Sequence, residues 1–245
     1  MSPTVPPAGG LTPQLPLALR YSPDQRFDSY IGAPPGALEH LRALALGKQN
    51  DWLYLAGAAR TGKTHLALAL CAEAEQAGRR ATYLPLMAAS GRMHDALTAL
   101  HGQDVVALDG LEAIAGQRED EVALFDFHNR ARAAGTTVLY TAREVPAELG
   151  LVLPDLRSRL SQCAQMVSSP LDDAGRRDVL RERAQRRGLV LEDAAIEWLL
   201  TRTDRDLGRL VALLDQLDRA SLAAQRRITV PFLRSVLEAS GQARS

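Results

Sequence analysis

Residues 57–64 read Gly57-Ala58-Ala59-Arg60-Thr61-Gly62-Lys63-Thr64 and decide the fold. An apolar run at 52–56 precedes them, and 63–77 carries apolar residues at helical spacing. Two glycines, a lysine and a threonine at this spacing are typical of a phosphate-binding loop, in which backbone N–H groups and a helix N-terminus face the phosphates. We therefore expect a nucleoside di- or triphosphate here, with Lys63 at its β- and γ-phosphates and Thr64 as a ligand of Mg²⁺.

Short apolar runs alternate with helical stretches between about residues 38 and 170, which favours an α/β domain with a parallel sheet. After Pro170 only helical patterns follow, so we expect a small all-helical lid. The predicted domains are a disordered tail at 1–24, a nucleotide-binding α/β domain at 25–169 and the lid at 170–245. Strands are predicted at 52–56, 81–84, 105–108, 137–141 and 165–167, and helices at 63–77, 121–134, 174–187, 193–201, 206–220 and 231–239.

Polar residues end two of the predicted strands. Asp109 ends the third strand, where a carboxylate can hold a magnesium-bound water beside the loop. Thr141 ends the fourth strand, just before Arg143, and can sense the γ-phosphate or position the attacking water. Many ATPases have a second acid where this chain has Gly110, and Glu112 is the nearest substitute. If Glu112 does not reach the water, we expect slow intrinsic hydrolysis and either a nucleotide-gated switch or a partner-dependent activity.

Composition narrows the class of protein. The formal net charge is +0, so no overall field favours nucleic acid or a membrane. Cys71 and Cys163 lack the spacing of a metal or redox site, which favours free thiols in a reducing cytosol. We find no apolar run of about 18 residues and no signal peptide, so we expect a cytoplasmic protein. Lys48 and Lys63 are the only lysines, which suggests that the loop requires a compact ammonium.

Several motifs in this order resemble those of the AAA+ ATPases, and among these DnaA and its relatives. Gly62-Lys63-Thr64-His65, followed by Leu66, looks like the loop of DnaA and of helicase loaders. The segment 154–160 resembles the one that carries the family's arginine finger, which implies that Arg159 is the finger. The segment 204–207 resembles the lid sensor, which implies that Arg205 contacts nucleotide. The resemblance implies ADP or ATP with Mg²⁺ as cofactor, contacted by residues 57–65 and Arg205.

Two further features resemble the Hda-type regulatory inactivators of DnaA. The tail segment Gln14-Leu15-Pro16-Leu17-Ala18-Leu19 is similar to peptides that dock on the bacterial sliding clamp. In such a peptide Gln14 forms hydrogen bonds, and Leu15, Leu17 and Leu19 fill apolar pockets. The second feature is the lid stretch 214–221. No helix-turn-helix domain follows the lid in this sequence, so we expect a protein other than an origin-binding initiator.

The resemblance implies a negative regulator of replication initiation. The protein would sit on the DNA-loaded clamp, the β subunit of DNA polymerase III, and insert Arg159 beside the ATP of DnaA. The protein would contact DNA only indirectly, through the clamp, and would have no membrane partner. Its expected location is the cytoplasm, in association with the nucleoid. Two alternatives stay open: a stand-alone ATPase or helicase loader of the DnaA/DnaC-like class, and a passive scaffold. A homodimer or higher oligomer is also left open.

Overall fold

The computed structural model describes residues 25–202 and, beyond them, residues 210, 213, 214, 217, 229–231, 233 and 234. Within these residues the strands are β1 (Leu53–Ala56), β2 (Ala81–Pro85), β3 (Val105–Asp109), β4 (Thr137–Ala142) and β5 (Ala164–Val167). They form one parallel sheet in the order β2-β3-β4-β1-β5. The predicted five-stranded parallel sheet is therefore confirmed, and each strand end lies within one residue of its prediction.

Helices cover both faces of the sheet, and further helices follow its last strand in the sequence. In the described residues they are α1 (Ala37–Ala45), α2 (Lys63–Gln76), α3 (Met93–Thr98), α4 (Arg118–Ala134), α5 (Pro154–Ser161), α6 (Asp173–Arg186) and α7 (Asp193–Arg202). Single 3₁₀ turns lie at Phe27–Ser29, Leu86–Ala89 and Leu111–Ala113. The sequence did not predict α1, α3 or α5 as helices. Helix α3 spans only 6 residues, too few for an apolar period to stand out.

Strand β1 shows how the sheet divides the core. Successive side chains of a strand point to opposite faces. Leu53 and Leu55 join the cluster beneath α1 and α2, whereas Tyr54 and Ala56 join the cluster that α3, α4 and α5 cover. All four are buried. Each large side chain among them contributes about 1.5–3 kcal/mol by burial, and together they fix the point where β1 delivers the phosphate-binding loop.

A buried aromatic group lies under α4. His128 is only 3% exposed, and its Nδ1 is 3.1 Å from the hydroxyl oxygen of Tyr140. The ring of Trp52 meets His128 edge-on at 4.6 Å, and the guanidinium of Arg132 lies over Trp52 at 4.4 Å. Burial, with smaller contributions from Arg132 and Arg159, lowers the pKa of His128 to about 4. The imidazole is therefore neutral in the folded protein near pH 7.

The C-terminal part has an apolar core of its own. Leu180 of α6 and Leu199 of α7 pack with the described leucines beyond residue 202, and Trp198 lies against this group. The predicted helices at 206–220 and 231–239 fall mostly outside the described residues, but those of their residues that are described are helical. The tail 1–24 lies outside them as well. No helix in the described part combines the length and the apolar character needed to cross a membrane.

Candidate nucleotide site

The phosphate-binding loop follows β1, an interior strand of the sheet, at the carboxyl ends of the strands. β1 pairs with β4 on one side and with β5 on the other, and β3 pairs with β4. All strands are parallel, so the residues that follow β1, β3, β4 and β5 meet at their carboxyl ends. Ligands of open α/β sheets bind at such an edge, where the strand order reverses. Topology thus brings Asp109 and Thr141 to the loop.

Distant residues hold the loop in place. The hydroxyls of Tyr30 and Ser168 donate to the carbonyl oxygen of Thr61, at 2.8 and 2.9 Å. Gly62 has a φ of 85°, and a Cβ on it would lie 2.6 Å from the Tyr30 ring. A Cβ on Gly57 would lie 2.4 Å from the carbonyl oxygen of Ser168. Both glycines are therefore needed for close approach, and the loop is braced from the N-terminal segment and from the residue after β5.

Lys63 folds back over the loop. Its ammonium donates to the carbonyl oxygens of Gly57 at 2.5 Å and Ala58 at 2.7 Å. Burial lowers the pKa of Lys63, while the carboxylates of Glu112 and Asp109 act in the opposite direction. Phosphate oxygens are stronger acceptors for an ammonium than backbone carbonyls are. The ammonium therefore has a stronger acceptor available to it when a phosphate enters the loop.

Asp109 is the meeting point of three hydroxyls. Its Oδ2 accepts hydrogen bonds from Thr64 and Tyr83, both at 2.8 Å, and its Oδ1 accepts one from Thr141. The predicted residues Thr64, Asp109 and Thr141 thus lie in direct contact. Magnesium prefers oxygen ligands and usually takes one or two protein groups together with phosphate oxygens and water. A hydroxyl and a carboxylate beside a phosphate-binding loop fit Mg²⁺ held through a nucleotide.

Glu112 is engaged with Arg143. One carboxylate oxygen accepts from the Arg143 guanidinium at 3.0 Å, and the other accepts from the Arg143 backbone N–H at 3.2 Å. The two charges act on Lys63 in opposite directions, since the Glu112 carboxylate raises the pKa of Lys63 and the Arg143 guanidinium lowers it. Gly110, where many ATPases have an acid, donates its N–H to the Thr141 hydroxyl at 3.0 Å. Glu112 is therefore close to the loop, but its carboxylate is already paired.

A cavity of about 300 Å³ opens beside the loop. Ile31, Leu171 and Val179 give it apolar walls, and the phosphate-binding loop forms its floor. His65 joins the surrounding segments, since its Nε2 is 2.8 Å from the carbonyl oxygen of Arg26 and its Nδ1 is 3.4 Å from the guanidinium of Arg183. A pocket of this size, with apolar walls next to phosphate donors, can hold the base and ribose of a nucleotide.

Arg159 lies on the exposed side of α5. Leu156 and Leu160 bury the opposite side of this helix. Among the residues that the structure describes, no partner forms a hydrogen bond or ion pair with the guanidinium of Arg159. The same is true of Arg157, two residues earlier and also exposed. Both cations are thus presented to solvent on one short helix.

Two family models match the chain. Residues 14–148 match "IstB-like ATP binding protein", and this match covers more than half of the 245 residues. The chain belongs to this family. Residues 173–237 match "Hda, lid domain". With its five-stranded parallel sheet, the protein is an Hda/DnaA-related AAA+ protein, as the sequence predicted.

Solved structures share the fold of this AAA+ protein. Domain III of the replication initiation protein DnaA from Thermotoga maritima has 17% identity and a TM-score of 0.73, covering 89% of this chain and 98% of that one. AMPPCP-bound DnaA from Aquifex aeolicus has 19% identity and a TM-score of 0.64, covering 80% and 65%. The RuvB Holliday junction branch migration motor of Thermotoga maritima has 21% identity and a TM-score of 0.59, covering 88% and 72%.

The structure places only part of the predicted site. Residues 57–65, Asp109, Glu112 and Thr141 gather around the loop, and Arg159 lies on the surface of α5. The lid sensor Arg205 and the clamp-binding Gln14, Leu15, Leu17 and Leu19 lie outside the described residues. The roles of all these residues remain predictions.

Three contributors to the site were missed in the sequence. Tyr30 and Ser168 brace Thr61 from positions far along the chain, which no local pattern indicates. Tyr83 contacts Asp109 from the neighbouring strand. Strand alternation could have found Tyr83, because it lies two residues before the end of β2, opposite Ala107 of the strand that Asp109 ends.

Proposed function

We propose that this DnaA-related AAA+ protein is a negative regulator of DNA replication initiation. In this proposal it binds ADP or ATP with Mg²⁺, sits on the DNA-loaded sliding clamp, and stimulates ATP hydrolysis by DnaA. The observation that carries the proposal is the contrast between two groups: Arg159 is exposed and unpaired within the described residues, whereas Glu112, the first acid after Gly110, is tied to Arg143. The exposed Arg159 is free to act on a partner. The carboxylate of Glu112, in contrast, is already paired and is poorly placed to activate a water in this chain's own site.

The nucleotide would be held by the loop and the cavity beside it. Lys63 would exchange its carbonyl acceptors for phosphate oxygens, and Thr64 and Asp109 would hold Mg²⁺ directly or through water. Magnesium would neutralise phosphate charge. The match to IstB-like ATP binding proteins supports an adenine nucleotide, as does the AMPPCP bound to the Aquifex aeolicus DnaA. The nucleotide then joins the loop to the lid side of the cavity, where Val179 and Arg183 lie.

Catalysis by Arg159 would take place in the partner. A guanidinium inserted beside a transferring phosphoryl group stabilises the charge that spreads over its oxygens. Such a finger accelerates hydrolysis by about 10³-fold or more. An arginine finger that acts on a partner's nucleotide must be exposed on the surface of its own protein. Arg159 lies on the exposed side of α5. DnaA would become ADP-bound, which prevents a second initiation.

The deciding experiment measures phosphate release from ATP-bound DnaA, with and without this protein, DNA and clamp. We expect stimulation that needs all three additions and that Arg159→Ala abolishes. Arg157→Ala is the matched control, since it removes an equally exposed cation from the same helix. Equal loss in both variants would show only that positive charge on α5 matters. Full activity of Arg159→Ala would refute the finger.

Clamp binding is tested separately. Replacing Gln14 and Leu15 by Ala should abolish retention on immobilised sliding clamp, while nucleotide affinity stays unchanged. Retention equal to wild type would refute the role of the tail segment, without bearing on Arg159.

A stand-alone ATPase or helicase loader is the second candidate. The direct contact between Thr64 and Asp109 supports this candidate, because these two groups would hold magnesium in an active ATPase. It predicts steady turnover by the protein alone, increased by single-stranded DNA or by a helicase. Turnover that depends on DnaA instead would exclude it.

A further inference from the structure

Glu121 is a buried carboxylate that the nucleotide site does not use. It lies in the first turn of α4 and is 0% exposed. Its Oε1 accepts the backbone N–H groups of Gly116 at 2.8 Å and Val152 at 3.1 Å, and its Oε2 accepts that of Leu153 at 2.7 Å. A buried charge is costly unless it is hydrogen bonded, and three backbone donors satisfy this one.

These donors belong to two loops that are far apart in the sequence. Gly116 lies near the end of the loop that leaves Asp109 and contains Glu112. Val152 and Leu153 lead into α5, and Leu153 is its N-cap residue. The carboxylate therefore ties the loop of the nucleotide site to the start of the helix that carries Arg159.

Helix α5 has only 8 residues, buries only Leu156 and Leu160, and has no side-chain hydrogen bond at its N-cap. Pro154 follows at the first helical position and has no N–H to contribute. Glu121 thus supplies from α4 the acceptor that the start of α5 lacks, and its negative charge lies favourably near that helix N-terminus.

We infer that Glu121 is the positioning residue for Arg159, an inference that rests on the proposed role of Arg159 as a finger. Arg159 lies six residues after Leu153, about 9 Å further along the helix at 1.5 Å per residue. A tilt at the start of α5 therefore shifts the guanidinium relative to a partner's phosphate. Misplacement of a catalytic group by about 1 Å can cost about 10²-fold in rate.

The test compares Glu121→Gln with Glu119→Gln. Both remove one negative charge from the first turn of α4, but Glu119 is exposed and accepts none of these bonds. A glutamine has one oxygen in place of two, so at least one of the three N–H groups loses its acceptor. Glu121→Asp keeps the charge on a shorter side chain and serves as a second variant should the glutamine variant not fold.

We expect Glu121→Gln, at saturating concentration, to lower the maximal stimulated hydrolysis by DnaA about 10-fold or more. The half-saturating concentration and the nucleotide affinity should stay within about twofold, because the substitution leaves the tail segment 14–19 and the phosphate-binding loop 57–64 unchanged. Amide hydrogen exchange of residues 150–161 should become about 10-fold faster, while that of α2 stays unchanged. Glu119→Gln should match wild type in all three measurements.

Two outcomes would overturn the inference. In the first, the maximal rate of Glu121→Gln equals that of wild type. In the second, α2 loses protection together with α5, which marks Glu121 as a general stabiliser of the domain. If the wild-type protein does not stimulate DnaA at all, the proposed function fails, and exchange of 150–161 alone then decides whether Glu121 holds α5.

Discussion

Acidification should destabilise the protein through His128. The imidazole is 3% exposed and its pKa is lowered to about 4, whereas an exposed histidine has a pKa of about 6.5. Between these values the unfolded chain takes up a proton that the folded chain does not. The free energy of unfolding therefore keeps its full value above about pH 6.5 and falls as the pH is lowered towards 4.

The magnitude follows from the two pKa values. Proton linkage for one group with these values gives a loss of about 2.5 kcal/mol between about pH 7.5 and pH 4.5. This is a large share of the roughly 5–15 kcal/mol that stabilises a typical domain. It corresponds to the work of charging an imidazole that is buried and that lies near the charges of Arg132 and Arg159.

Urea unfolding of wild type and His128→Phe at the two pH values checks this prediction. The phenylalanine variant is less stable at about pH 7.5, because it loses the contact with the Tyr140 hydroxyl, but its stability should fall about 2.5 kcal/mol less on acidification. His94→Gln removes an exposed histidine and should fall as much as wild type. An equal fall in wild type and His128→Phe would show that His128 is not the group responsible.

Three further predictions concern the nucleotide site. Lys63→Ala should weaken nucleotide binding about 10- to 100-fold by calorimetry, and Lys63→Arg should not restore it, because the carbonyl cradle fits a compact ammonium; wild-type affinity in the arginine variant would contradict this reading. Asp109→Asn should make ATP affinity nearly independent of Mg²⁺, measured in magnesium and again in EDTA; an unchanged magnesium effect would place the metal elsewhere. Gly62→Ala should lower the free energy of unfolding by about 1–3 kcal/mol, because residue 62 has a positive φ and an added Cβ would clash with the Tyr30 ring. Adding Tyr30→Ala should remove the clash but not the backbone strain, so it should restore only part of the stability. Complete restoration would rule out the backbone contribution.

The strands could be predicted because each is a short apolar run bounded by a turn. Val105–Asp109 and Thr137–Ala142 are buried along nearly their whole length, so their hydrophobicity alone marks them. Helix α3 has no such mark, since only Met93 and Leu97 of its residues are buried. Its short length leaves one apolar repeat, which cannot be distinguished from a loop.

The site could be predicted only where a motif is local. The phosphate-binding loop at 57–64 is recognised from the spacing of its glycines, lysine and threonine. The contacts of Tyr30 and Ser168 with this loop join parts of the chain that are 138 residues apart. The buried Glu121 is likewise indistinguishable in sequence from its neighbours Glu119 and Asp120. Which acid turns inward depends on where the loop before α5 passes, and only the folded chain determines that.

The positions of the two tryptophans of the chain allow its two parts to be followed separately by fluorescence. Trp52 is enclosed beneath α4, and Trp198 is half-buried in α7 beside Arg202. Each half of the molecule therefore carries its own intrinsic fluorophore, one shielded from solvent and one partly exposed to it. In Trp52→Phe the remaining tryptophan emission comes from α7 alone. Spectral changes on adding nucleotide to that variant would report the environment of the helical part without any attached label.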